Sequence, residues 1–331
     1  MRDSRPDGAR AAGRRRVRAP LREDDLVRRI RARLGRSRFP VLVGPGHDAA
    51  LVAWPRGAGL VLKTDQVVAG VHFDPSRESL ADAGYKALMR GVSDVAAFGG
   101  IPVAALVSAA LPAGFTLREF DALFAGLRRA SRASGAAIVG GDLSRTEGPL
   151  VVAVALAARA TARRPKLRSG ARPGDRVLVT GRLGGSRLGR HLRIAPRLRA
   201  GRELAAARGV HAMMDVSDGF LKDLSRLARE SGLAAVVRPE RVPVHADARR
   251  LARATGRSPI AHALGDGEDH EILFAAAPRA ARALCRSGLE GGRLPVTDVG
   301  EFRRGRGVRL ALANGKEISG AAAETGHEHV F

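Results

Sequence analysis

At 331 residues the chain is long enough for two domains, and with 45% hydrophobic but only 4% aromatic residues its core must be built mostly from Ala, Val and Leu. No apolar run approaches the roughly 18 residues of a membrane helix, residues 1–20 lack the apolar centre of a secretory signal, and the single cysteine, Cys285, excludes an internal disulfide and fits a reducing, cytoplasmic setting. The formal charge of +24 would suggest a polyanionic partner, but only five of the 57 basic residues are lysine and the arginines are scattered along the whole length, as GC-rich codon usage would scatter them; no specific nucleic acid and no membrane is expected as a partner.

Residues 1–22 form a basic tail without apolar periodicity and are expected to be disordered. Leu26, Ile30 and Leu34 recur at helical spacing within 23–34. Strand-like runs at 41–43, 49–53 and 59–62 follow, with the loop Gly44-Pro45-Gly46-His47-Asp48 between the first two. Where the third run stops, the stretch 63–73 sets a hydroxyl (Thr64) and a carboxylate (Asp65) at its edge, and an imidazole (His72) beyond Gly70. Residues 80–98 read as a helix containing Asp94, ended by Gly99-Gly100-Ile101-Pro102, and 103–111 as a buried strand. Thr116 and Glu119 have capping-box spacing ahead of a helix that should bury Phe120, Leu123, Phe124 and Leu127. The run 136–139 is a strand delivering Gly140-Gly141-Asp142 at its end, and 150–158 is another.

Residues 160–173 are dense in Arg, Pro and Gly, which divides the chain into a first half, 23–160, and a second, 161–331. The second half opens with a strand at 176–180 and a glycine-rich turn at 181–189, in which Gly184-Gly185-Ser186 is more often a turn before a helix than a phosphate cradle. Asp218 is placed to cap a helix carrying Leu221, Leu224 and Leu227, closed by Gly232. A strand at 271–275, a helix at 280–287 and a strand at 308–312 complete an α/β protein in two halves.

Short acidic clusters recur beside glycine or serine: Gly46-His47-Asp48, Thr64-Asp65, Ser93-Asp94, Gly140-Gly141-Asp142, Asp215-Val216-Ser217-Asp218-Gly219 and Gly267-Glu268-Asp269. One such cluster is ordinarily a turn. Several, in a strongly basic chain without Cys or His ligand spacing, favour hard divalent cations held by oxygen, with Mg²⁺ and a nucleotide as the first expectation. The chain has no Gly-x-x-x-x-Gly-Lys-Ser/Thr loop, no His-Arg-Asp catalytic loop, no nucleophile elbow and no zinc motif. Phosphoryl transfer needs little beyond in-line positioning and neutralised charge, so a missing catalytic base is no objection to it.

In order along the chain, Thr64-Asp65…Gly70-Val71-His72-Phe73, Ser93-Asp94-Val95-Ala96-Ala97-Phe98-Gly99, Gly140-Gly141-Asp142, Arg168-Ser169-Gly170-Ala171-Arg172-Pro173-Gly174-Asp175, Asp215-Val216-Ser217-Asp218-Gly219 and Gly267-Glu268-Asp269-His270-Glu271 resemble the thiamine-monophosphate kinase family of the aminoimidazole-ribonucleotide-synthetase-like ATP-binding superfamily. The resemblance runs from about residue 22 to the C-terminus. It implies a two-domain α/β fold, a homodimer pairing its N-terminal sheets, and ATP with several Mg²⁺ ions in the cleft between halves. The γ-phosphate would pass directly to thiamine monophosphate, giving thiamine diphosphate. By motif match Asp48, Thr64, Asp65, Asp94, Asp142, Asp215 and Asp218 become metal ligands, with Asp65, Asp94 and Asp142 stabilising charge during transfer. Gly141, Asp142, Arg168 and Ser217 become nucleotide contacts, and His72 and Glu268 touch the thiamine substrate.

The chain departs from that pattern at His47 and Lys63, where a group able to carry positive charge stands in place of an oxygen ligand, which suggests either fewer metals or drift at outlying positions. Asp266 replaces a glycine, the ending Gly326-His327-Glu328-His329-Val330-Phe331 only approximates the family's, and no Trp or Tyr is positioned to stack on the thiamine rings. Aminoimidazole ribonucleotide synthetase and a non-catalytic ATP- or polyanion-binding module are the alternatives.

Overall fold

The computed structural model describes residues 41–43, 47, 49–53, 59–162 and 165–320. The basic tail, the helix expected at 23–34, the candidate ligand Asp48 and the ending 326–331 lie outside the described residues. β1 (Val41–Val43), β2 (Ala50–Ala53) and β3 (Gly59–Val68) form an antiparallel meander. β3 does not stop at Leu62, where its apolar run ends: residues Leu60 to Val68 are each paired with the same neighbouring strand, and this ladder overrides the poor strand preference of Lys63 and Asp65. Thr64 and Asp65 therefore sit in mid-strand. Because side chains alternate along a strand, Val61, Lys63, Asp65 and Val67 turn to the more buried face, and Leu62, Thr64 and Gln66 to the exposed one.

Helix α1 (Leu80–Ala97) starts at Ser79, whose side chain accepts the Asp82 N–H. β4 (Gly100–Pro112) follows, then α2 (Leu117–Ser134), β5 (Ala137–Thr146) and β6 (Val151–Ala160). The capping box of Thr116 and Glu119 forms as the spacing predicts. Leu123 and Leu127 are buried, but Phe124 is 38% exposed and stacks on Phe120 with centroids 5.9 Å apart. Phe120 is itself only partly buried, so neither expected ring contact with the core forms; α1 and α2 instead cross with backbones nearly touching: a Cβ on Gly84 would lie 2.1 Å from Leu123 O, and one on Gly126 1.8 Å from Ala81 O. The small residues make the seam. The six strands run in the order β1-β2-β3-β6-β4-β5, with only β4 and β5 parallel. Leu88, Val92, Val95, Leu123 and Leu127 from the helices pack on Val61, Val67, Val152, Val154 and Leu156 of the sheet. The other face carries Leu62 (42% exposed) and Leu106 (50% exposed).

The second half contains β7 (Arg176–Thr180), α3 (Leu198–Ala206), β8 (Val210–Asp215), α4 (Phe220–Glu230), β9 (Leu233–Val237), α5 (Ala246–Thr255), α6 (Pro259–Gly265), β10 (Ile272–Ala276), α7 (Pro278–Ser287), β11 (Val296–Arg304), β12 (Gly307–Ala311) and β13 (Glu317–Ser319). Its seven strands lie in the order β13-β12-β9-β11-β7-β10-β8. β7 matches its predicted bounds, whereas β8 and β9 are short, almost wholly buried runs, without the alternation that marks a strand in sequence. The chain thus has the expected α/β fold in two sheet-containing halves. Among the described residues no helix is long and apolar enough to cross a membrane.

Candidate active site

One face of α1 does most of the placing. Lys86, Arg90 and Asp94 follow one another at four-residue steps, with Ser93 beside them, so a single stripe of the helix presents all four. The inner face of β3 adds Lys63 and Asp65. The Lys63 ammonium lies 2.9 Å from an Asp94 carboxylate oxygen, and Arg90 Nε lies 3.5 Å from Asp65 Oδ2. Burial alone would lower the Lys63 pKa, but Asp94, Asp65 and Asp215 outweigh it and raise the value, so the side chain is a cation. Arg90 Nη1 is buried and has no acceptor among the described residues.

β8 brings the second half to this cluster. Its last residue, Asp215, is 2% exposed and accepts a 2.7 Å hydrogen bond from Ser93 Oγ across the junction. Its other oxygen, Oδ1, is buried without a hydrogen bond, and His270 Nδ1 stands 3.6 Å from Oδ2. Burial works to raise the Asp215 pKa, while His270, Ser93 and Lys63 together hold it below its ordinary value.

The loop carrying Glu268 is folded onto the turn after β8. Glu268 N–H donates to Ser217 O (2.7 Å), and His270 N–H to Val216 O (2.8 Å). Gly267 permits this approach, since a Cβ there would lie 2.6 Å from Ser217 O. Glu268 and His270 both adopt positive φ, 63° and 53°, a conformation costing roughly 1–3 kcal/mol at a non-glycine residue and typical of constrained functional loops. Glu268 Oε1 sits 2.7 Å from the Lys86 ammonium, which also donates to His72 O at 2.6 Å. Burial would raise the Glu268 pKa, but Lys86 first, then His270 and Arg90, bring it down to about 2. His72 accepts the Val68 N–H at Nδ1 (3.0 Å). Burial, with Arg90 and Lys86 nearby, lowers its pKa to about 4, so its imidazole is neutral at pH 7 with the proton on Nε2.

Asp218 does not cap α4. That helix starts at Gly219 with no side-chain cap, and Asp218 pairs with Arg226 while Lys222 Nζ stands 4.0 Å away. The fully buried Asp223 holds the turn instead, accepting the backbone N–H groups of Ser217 (2.9 Å) and Asp218 (3.0 Å). The glycine-rich turn is likewise committed: Gly184 N–H donates to Asp269 (2.8 Å) and Gly185 N–H to Asp266 (3.0 Å), leaving it a structural turn.

Asp65, Asp94, Asp215, His72 and Glu268 are thus gathered along one junction, and Ser217 and Asp218 flank it. Thr64 is not gathered with them, because its side chain exits on the opposite face of β3. Gly141 and Asp142 fall in the middle of β5 rather than at a strand end. Asp142 is exposed and pairs with Ser108; the row Asp65, Val154, Val107, Gly141 puts this motif three strands from Asp65, about 14 Å across the sheet. The Arg168 backbone carbonyl accepts from Ser231 Oγ at the end of α4. Lys86 and Arg90 complete the junction without having been singled out in the sequence; their four-residue spacing from Asp94 is the signal that could have found them.

Among the described residues no three carboxylate, imidazole or thiol groups converge closely enough to form a ready-made metal site. Asp48 lies outside the described residues; among the described carboxylates Asp94 is paired with Lys63 and Asp65 with Arg90. The donor chemistry nevertheless suits Mg²⁺, which is commonly held by one or two carboxylates plus substrate phosphates, and Asp215 Oδ1 is a buried oxygen with no other partner.

Models of the AIR synthase related protein family match residues 46–160 (N-terminal domain) and 157–313 (C-terminal domain). A thiamine-monophosphate kinase of Rhodopirellula baltica is 40% identical over 283 residues, covering 83% of this chain and 88% of that protein. This chain belongs to the thiamine-monophosphate kinase family. A second such kinase, from Bacillus subtilis, is 32% identical over 79% of this chain and 85% of its own length. The solved structure of AaThiL complexed with AMPPCP and TMP superposes with a TM-score of 0.80 at 29% identity, covering 93% of this chain and 97% of that one. A thiamine monophosphate kinase from Aquifex aeolicus gives a TM-score of 0.73 at 28% identity, covering 88% and 97%. The chain is accordingly a kinase on the expected two-domain fold.

Proposed function

We propose that the chain phosphorylates thiamine monophosphate to thiamine diphosphate at the junction of its two halves, taken as 23–160 and 161–331. The observation that carries this reading is the link between Ser93 of α1 and Asp215 of β8 (2.7 Å), with Asp94, Lys63, Asp65 and Arg90 around it: charged groups from both halves meet at one place. An oxygen of the acceptor phosphate attacks the γ-phosphorus of ATP in line and ADP departs. That oxygen is already anionic at neutral pH, so no side chain need act as base. Asp65, Asp94 and Asp215, with Asp48, Asp218 and the backbone of Thr64, would hold Mg²⁺, which when bound supplies charge neutralisation and orientation of the phosphates; Asp142, on the opposite side of the sheet from Asp65, would serve the site of a second copy of the chain. Arg90 offers the unused Nη1 donor to a phosphate oxygen. Neutral His72 and the Lys86-paired Glu268 line the thiamine side, while Arg168 and Ser217 contact the nucleotide, joined by Gly141 and Asp142 of a second copy of the chain.

The chain is further proposed to act as a homodimer. Leu62, Leu106 and Asp142 lie on the exposed side of the first sheet, so a second copy packed there would cover apolar surface and bring Asp142 out of solvent. The test is a coupled assay of ATP consumption with thiamine monophosphate, with formylglycinamidine ribonucleotide, or with neither. Turnover with the first alone is expected, lost in Asp94→Asn while circular dichroism is unchanged. Full activity of that variant would remove the assigned role, and turnover with the second substrate would move the chain to the synthetase reading.

A further inference from the structure

The carboxylates at the junction are already partly answered from within the chain, and the way they are answered is specific. Lys63 projects from β3 between its strand neighbours and reaches Asp94 at 2.9 Å, with its side chain only 21% exposed. Its stem has a seat: α1 presents Gly91 to it, and a Cβ built on that glycine would already touch Lys63 Cγ at 3.8 Å, so any larger side chain would compete for the space. Arg90 answers Asp65 (3.5 Å). Asp215 has Ser93 and, at 3.6 Å, His270 at one oxygen, and no hydrogen-bond partner among the described residues at the other. A fixed positive charge therefore stands on Asp94 and within electrostatic reach of Asp65 and Asp215, and among the described residues no three acidic, imidazole or thiol groups close around a metal.

We propose that Lys63 is a tethered cation that takes one of the cation positions of this site, so that the chain binds one divalent ion fewer than its carboxylates would otherwise hold. The inference rests on the phosphoryl-transfer reading above for its purpose, but its geometry does not. A primary ammonium is compact and strongly hydrated, so it can neutralise one carboxylate and donate to phosphate oxygens. Its three donors can reach more than one acceptor, but it brings a single charge where a divalent ion brings two. Like charges at contact distance also exclude each other in a partly desolvated site. Lys63 thus takes up one oxygen of Asp94, while Asp215 Oδ1 remains available to the ions that bind.

The experiment counts bound Mn²⁺ by electron paramagnetic resonance on the full chain, alone and with AMPPCP, for wild type, Lys63→Ser, Lys63→Met and Lys63→Arg. The Ser and Met variants are expected to bind one more Mn²⁺ per chain than wild type, and the Arg variant to keep the wild-type number. Equal numbers in all four overturn the proposal. AMPPCP uptake is read separately by calorimetry: its absence would sink the kinase reading, while the Mn²⁺ count on the bare chain still decides the role of Lys63. Should the neutral variants fail to fold, anomalous diffraction from wild-type crystals soaked in Mn²⁺ settles the matter. A peak bridging Asp94 and Asp215 with Lys63 displaced refutes the tethered cation; Lys63 still on Asp94 with metal elsewhere supports it.

Discussion

Replacing Lys86 by methionine tests how the two halves are held at the junction. Lys86 is wholly buried in the first half, and its partner Glu268, 2.7 Å away, belongs to the second. Burial pushes the Glu268 carboxyl up, yet Lys86 first, together with His270 and Arg90, outweighs it and draws the pKa from 4.5 to about 2. A displacement of that size corresponds to about 3 kcal/mol of folding free energy at neutral pH, in line with the roughly 3–5 kcal/mol lost when one member of a buried pair is removed. Since the folded pKa is depressed, this stabilisation is fully present above pH 4.5 and drains away as pH falls towards 2. Lys86→Met should therefore lower the unfolding free energy by about 3–4 kcal/mol at pH 7, equivalent to roughly 4–6 °C in Tm for a chain of this size. The difference from wild type should shrink steadily between pH 5 and 2. In Lys86→Met/Glu268→Gln, where no charge is stranded, at least half of the loss should return. Urea denaturation of the three proteins across that pH range is the assay. A single variant within about 1 kcal/mol of wild type, or a gap that does not narrow in acid, would refute the reasoning.

Three further outcomes follow from the same coordinates. Burial raises the Asp269 pKa to about 7 against the pull of Arg190 and the Gly184 N–H; the folded chain then keeps a proton that the unfolded chain has lost, so this residue's contribution to stability declines as pH rises from 4 to 7, and Asp269→Asn should flatten that part of the stability curve. Gly126→Ala would drive a methyl to within 1.8 Å of Ala81 O at the α1–α2 crossing; a loss of about 1–3 kcal/mol or more is expected, read by thermal denaturation, and an unchanged Tm would mean that the helices are not so closely apposed. Leu106→Asp, on the exposed side of the first sheet, should convert the proposed dimer to a monomer in light scattering without disturbing the helix-covered core; a wild type that is itself monomeric would end the dimer proposal.

Much of the fold is legible in residue order because it depends on local rules. The capping box at Thr116 and Glu119, the apolar stripe of α1 and the run Arg176–Thr180 each carry their own signal, and each forms at or close to its predicted place. β8 and β9 carry almost none, since a strand buried on both faces has no alternation to read. The length of β3 could not be read locally either: Lys63 and Asp65 are poor strand formers, held extended by pairing with a strand some ninety residues on.

The sequence by itself determines which acidic groups this protein has and in what order, and that is enough to identify its family. Only the tertiary structure decides which of them meet. Alternation along β3 separates Thr64 from Asp65, edge placement in β5 leaves Asp142 in solvent, and packing of α1 against β8 joins Ser93 to a residue 122 positions away. The physical reason is that the sign of a charge is written in the chain, whereas its partner and its exposure are products of packing. Lys63, Lys86 and Arg90 are three basic residues among 57 in the sequence, and become the counter-charges of this site only when the two halves close around them.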